Sequence, residues 1–65
     1  MRKSYSSREV IQILKEDGWR LKRIKGDHHH FTHPTKPGKV TVPHPKKDLS
    51  QWEIDSISSQ SGLKF

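Results

Sequence analysis

The residues best suited to chemistry are concentrated in one stretch. Lys25-Gly26-Asp27-His28-His29-His30-Phe31-Thr32-His33-Pro34 holds four of the five histidines beside a tight-turn dipeptide and an aromatic ring. Histidine has an unperturbed pKa of about 6.5, so it gives or takes a proton near neutral pH without special tuning. His28 follows Gly26-Asp27 directly, and a strand starting there fixes its direction while leaving it exposed. Lys22, Arg23 and Lys25 precede it, and Lys46 and Lys47 follow a later turn. Metal-free RNA cleavage needs a base for the ribose 2′-hydroxyl, an acid for the leaving oxygen and cations on the phosphate. His28 is therefore the candidate catalytic residue, and Lys22, Arg23, Lys25, Lys46 and Lys47 are the candidate RNA-binding cations. Against this stands the plainer reading of a solvated, histidine-rich loop, which is the commoner fate of surface histidines.

A metal site is the other chemical option. His28 and His30, at i and i+2, share one side of a strand, and His44 is a conceivable third ligand. With no cysteine and no suitably spaced carboxylate pair, the first shell is incomplete, so neither a metal nor another cofactor is expected. Asp27, the one close acid, reads more naturally as a turn residue. His30, His33 and His44 all stay open as a second catalytic group. Phe31 and Trp19 are assigned to the core, because a chain with few large apolar residues cannot spare them. Trp52 keeps three roles open: covering the core edge, stacking on RNA, or meeting a protein partner.

Composition narrows the setting. Sixty-five residues make one small domain, 1–65, with no room for a deep small-molecule pocket. Thirteen Lys and Arg against seven Asp and Glu give a formal charge of +6, which calls for a polyanionic partner. Nucleic acid leads, an acidic protein follows, and a membrane is third because no basic amphipathic helix is visible. No apolar run approaches the roughly 20 residues of a membrane span, and Met1-Arg2-Lys3-Ser4 lacks the apolar segment of a secretory signal. A soluble, cytoplasmic protein is the expectation.

The elements that must hold the histidines are announced locally. After an irregular lead-in over residues 1–5, Ser6-Ser7-Arg8-Glu9 is a capping box with Tyr5 and Val10 as its staple. Val10, Ile11 and Leu14, with Ile13 at the edge, give one apolar face, and Gly18 supplies a Schellman cap with Trp19 packing back on Leu14. Trp19 to Lys25 alternates as a half-buried strand whose pattern slips at Arg23 and Ile24. Gly26-Asp27 is a hairpin turn of open type, and His28 to His33 is a second strand. Parity with Phe31 puts His29 and His33 toward the core and leaves His28, His30 and Thr32 on the opposite face. A bulge next to the turn would reverse that assignment. Val40-Thr41-Val42 is the third strand, stopped by Pro43-His44-Pro45. Ser50-Gln51-Trp52-Glu53 opens a serine-rich second helix that Ile54 and Ile57 must anchor by packing and Gly62 closes. The order is α-β-β-β-α: an α+β domain with a three-stranded antiparallel sheet, two helices on one face and the other face open.

These residues also resemble a known family. Lys25-Gly26-Asp27-His28-His29, His33-Pro34-Thr35-Lys36 and Val40-Thr41-Val42-Pro43-His44-Pro45-Lys46-Lys47-Asp48-Leu49, with Asp17-Gly18-Trp19 before them and Ile57 and Gly62-Leu63 after, look like the HicA family of bacterial toxins. The likeness runs from about Ser6 to Leu63. It implies a double-stranded-RNA-binding-like fold, ribosome-independent cleavage of mRNA, and neutralisation by a cognate HicB antitoxin. The histidine after the glycine of the family's Gly-Ser-His motif carries over to His28. Asp27 replaces the serine here, and Gln51-Trp52-Glu53 replaces a basic, Gly-Thr-containing start to the second helix. The alternative is a non-catalytic RNA-binding or antitoxin-binding module of the same fold.

Overall fold

Local signals and long-range packing agree over most of the chain. The structure, a computed structural model, describes residues 4–65; of the expected lead-in, residues 1–3 lie outside the described residues. Helix α1 (Ser7–Glu16) starts where the capping box requires: Ser6 Oγ accepts from Glu9 N–H at 3.1 Å and Glu9 Oε1 accepts from Ser6 N–H at 2.9 Å. It ends in a complete Schellman motif, with Trp19 N–H donating to Leu14 O and Gly18 N–H to Lys15 O around a left-handed Gly18. Helix α2 (Gln51–Ser61) repeats the capping box through Ser50 and Glu53 and stops at a left-handed Gly62.

Between the helices, β1 (Arg20–Lys25), β2 (His28–Thr32) and β3 (Val40–Pro43) form an antiparallel meander in the order β1-β2-β3. Gly26 has φ +59° and no other residue type among the described residues has a positive φ, so the two-residue turn into His28 is of type II′. Phe31, Val40 and Val42 point to the helices and meet Val10, Leu14, Trp19, Leu49, Ile54 and Ile57 in one core. Both helices therefore cover the same face of the sheet, in the α+β, double-stranded-RNA-binding-like architecture.

The first strand departs from expectation. All six of its residues are exposed, although the alternating pattern predicts a half-buried strand. The helices pack chiefly on β3, and β1 overhangs them at the far edge. Leu21, opposite Phe31, is consequently 46% exposed. The slip in the pattern has a physical cause: a bulge between Leu21 and Arg23. Past the bulge, Arg23 pairs with His30 and Lys25 with His28, whereas an unbroken ladder would set Ile24 opposite His28.

Candidate functional site

The face of the sheet turned away from the helices carries the site. Lys22, Arg23, Lys25, His28, His30, Thr32 and Lys39 line one open trough of about 900 Å³. The β1 bulge brings Lys22 and Arg23, adjacent in sequence, to the same side, while strand parity delivers His28 and His30. Because the bulge lies in β1, away from the turn, the assignment of His28, His30 and Thr32 to this face holds. Lys39 was not anticipated. The pairing of Phe31 with Val40 sets it opposite Thr32, and that parity was available from the sequence once the two strands were paired.

The two histidines are held differently. His28 is exposed, its side chain 58% accessible, and its Nδ1 lies 3.4 Å from Asp27 Oδ1. That separation is too long for a strong hydrogen bond. His30 Nδ1 is 2.9 Å from Thr41 Oγ1 across the β2–β3 pair, which fixes the ring over the sheet. Partial desolvation, followed by the charges of Lys39, His28, Arg23 and Lys25, holds the His30 pKa below the usual imidazole value. His30 is thus a neutral imidazole at neutral pH, available to accept a proton.

The remaining candidates lie elsewhere. His33 Nδ1 accepts from Thr35 N–H and Lys36 N–H at 3.1 Å each, so Nε2 carries the proton it gives to Asp17 O at 2.7 Å. The ring also packs edge-on against Trp19, and its bonds and packing serve the fold. Beside it, the Lys36 ammonium holds the Asp17 carboxyl below the usual carboxylate range, with Trp19 Nε1 as a second donor. His44 sits on the helix side, edge-on to His29 with ring centres 4.9 Å apart and Nδ1 on Ser7 Oγ. The set His28, His30 and His44 is therefore not brought together, and among the described residues no group of three or more His, Asp or Glu side chains is arranged to hold a metal.

Two of the five candidate cations also part from the trough. Lys46 and Lys47 line a separate hollow with Ser6, Ser7, Arg8, His44 and Pro45, near the start of α1. The Lys46 ammonium is bound to both Glu53 oxygens at 2.8 and 2.9 Å, which holds the Glu53 carboxyl below its usual range. Both lysines are grouped with His28 in the sequence reading, but the chain after Pro43-His44-Pro45 carries them to this hollow instead.

Trp52, in the first turn of α2, is 77% exposed. It shares a cleft of about 240 Å³ with His28, Thr41, Pro43, Glu53, Ser56 and Gln60. His28 therefore stands on the ridge between the cationic trough and this aromatic cleft.

The geometry is thus a basic sheet face presenting two imidazoles on an α-β-β-β-α frame. Residues 7–63, well over half of the chain, match the family model described as HicA toxin of bacterial toxin-antitoxin. The chain belongs to this family; it is the toxin of a toxin–antitoxin pair and has an antitoxin partner. No individual curated protein matches it. Among the described residues, no helix is long and apolar enough to cross a membrane.

Proposed function

We propose that this toxin is a cytoplasmic, metal-independent endoribonuclease, an mRNA interferase that acts without the ribosome and is neutralised by a HicB-type antitoxin. The observation that carries the reading is the juxtaposition of His28 and His30 in a trough walled by Lys22, Arg23, Lys25 and Lys39. His30, neutral at working pH, takes the proton of a ribose 2′-hydroxyl. The 2′ oxygen attacks the adjacent phosphorus, the bond to the 5′ oxygen breaks, and His28 gives that oxygen its proton. The products are a 2′,3′-cyclic phosphate and a 5′-hydroxyl end. The trough cations stabilise the charge gathering on the phosphoryl oxygens. Asp27 Oδ1 lies 3.4 Å from His28 Nδ1, beside the ring that serves as the acid.

The test is cleavage of a single-stranded RNA in the presence of a chelator, with growth arrest on induction as its cellular counterpart. The wild type cuts and arrests growth; His28→Ala, still folded by circular dichroism, does neither. Undiminished cleavage by His28→Ala, or strict dependence on an added divalent metal, would overturn the reading.

A further inference from the structure

The aromatic cleft beside His28 has no part in the proton transfers above, yet it opens on the same histidine as the cationic trough. We propose that it is a nucleobase subsite, in which Trp52 stacks on a base next to the scissile phosphate of a single-stranded RNA. The inference rests on the RNA reading of the trough.

Its construction supports this occupant. Trp52, Ser56 and Gln60 recur at i, i+4 and i+8 on α2, so they form one stripe, while Ile54, Ile57 and Ser61 on another side anchor the helix in the core. The small Ser56 leaves space below the indole. Gln60 is fixed by accepting Thr41 N–H at 2.9 Å on the β3 edge, and its amide donates to Ser56 Oγ at 3.3 Å. Pro43, paired with His28 across the sheet, supplies an apolar surface on the strand side. The cleft thus offers an exposed π-face, a proline surface and fixed hydroxyl and amide groups. This chemistry suits a planar heteroaromatic base with polar edges. A polynucleotide whose phosphates follow the cationic trough past His28 has its next base at this cleft. The 77% exposure of a tryptophan in a small basic domain then has an explanation that core packing does not give.

The test separates base stacking from charge and from cleavage. The probe is a 2′-O-methyl RNA, which lacks the attacking hydroxyl, compared with an abasic strand of equal length and phosphate count. Acrylamide quenching reads Trp52 selectively, because Trp19 is only 2% exposed. The base-containing strand is expected to shield Trp52, and the abasic strand is not. Trp52→Ala is expected to lose roughly 5- to 100-fold of affinity for the base-containing strand only, while Trp52→Phe retains most of it. Ser56→Leu, which fills the cleft with the indole still present, is expected to lose the same base-dependent part. The proposal is overturned if both variants bind the base-containing strand like the wild type, or if Trp52→Ala weakens both strands equally. Wild-type RNA binding by Trp52→Ala with loss of antitoxin capture likewise overturns it, and makes the cleft an antitoxin contact. Base-dependent shielding of Trp52 without cleavage of unmodified RNA leaves the subsite standing and removes the nuclease reading instead.

Discussion

Ser7 Oγ lies 2.7 Å from His44 Nδ1, across 37 residues of sequence, and the same hydroxyl touches Lys46 N at 2.9 Å and Lys46 O at 3.1 Å. A hydroxyl has one proton and two acceptor sites. All three contacts are satisfied together only if Lys46 N–H and His44 Nδ1–H donate to Oγ while Oγ donates to Lys46 O. His44 therefore keeps a proton on Nδ1 and serves the fold through it. Its backbone N–H donates to Asp27 O at 2.7 Å, so a line of bonds runs from the first turn of α1 to the residue before His28.

Ser7→Ala is expected to break that line. Ser7 is 1% exposed, and removing its hydroxyl takes the hydrogen-bond partner from the Lys46 amide and from His44 Nδ1. The cost is about 1–3 kcal/mol, and each kcal/mol lowers Tm by roughly 4–8 °C in a domain of this size. Thermal and urea unfolding measure it. RNA cleavage, read at a temperature where the variant is folded, should fall less than in His28→Ala, because His28 itself is intact and only its mooring is loosened. An unchanged Tm would show that the Ser7 hydroxyl contributes nothing net.

How much of this was legible in the sequence follows the range of each interaction. Ser6 and Glu9, Ser50 and Glu53, and Gly18 and Gly62 act within one helical turn, so their types and spacing name the caps without any knowledge of tertiary contacts. His28 and His30 follow from strand parity with Phe31. The exposure of β1 could not be read, since it depends on both helices settling over β3. The bulge showed only as a broken alternation at Arg23 and Ile24; its consequence, two adjacent cations on the open face, needs the partner strand. Lys46 and Lys47 could not be placed from the sequence, since their position depends on the path of Pro43-His44-Pro45, which takes them to the hollow near α1.

Gly18→Ala tests a close approach as well as a cap. Gly18 has φ +102°, and a Cβ built there would stand 2.8 Å from His33 Nε2. That nitrogen is fixed on Asp17 O at 2.7 Å, so the ring cannot withdraw without losing the bond. Backbone strain and displacement of His33 are expected to destabilise the domain by more than about 1 kcal/mol. Urea denaturation measures the loss. Gly38→Ala, at a left-handed residue with open space around its Cβ position, is expected to cost less.

The division of the cations predicts two classes of binding defect. If Lys25 and Lys39 neutralise RNA phosphates, replacing either with Ala reduces the slope of log affinity against log salt by about 0.7 for a single strand. Lys47→Ala, in the hollow near α1, is expected to leave that slope unchanged. Titrations of a 2′-O-methyl RNA at several salt concentrations measure the slopes. A larger effect for Lys47 than for Lys25 would move the RNA path off the open face.

The depressed pKa of His30 gives a pH prediction of definite sign. Desolvation comes first among its causes, then Lys39 and the other trough charges. If neutral His30 is the base, kcat/KM falls at low pH as that imidazole takes a proton, and the acid limb lies below the ordinary imidazole range. Lys39→Ala removes one source of depression, so the His30 pKa rises and the limb shifts to higher pH. Folding stability shares the linkage. A histidine whose folded pKa is below its unfolded value contributes stability that is full above about pH 6.5 and is lost as pH falls through the folded value. His30→Gln should remove this part of the acid sensitivity while keeping a polar side chain opposite Thr41. NMR titration of the imidazole, a pH–rate profile and denaturation at pH 5 and pH 7.5 read the three consequences. An acid limb that does not move in Lys39→Ala while the His30 resonance does would take the base role away from His30.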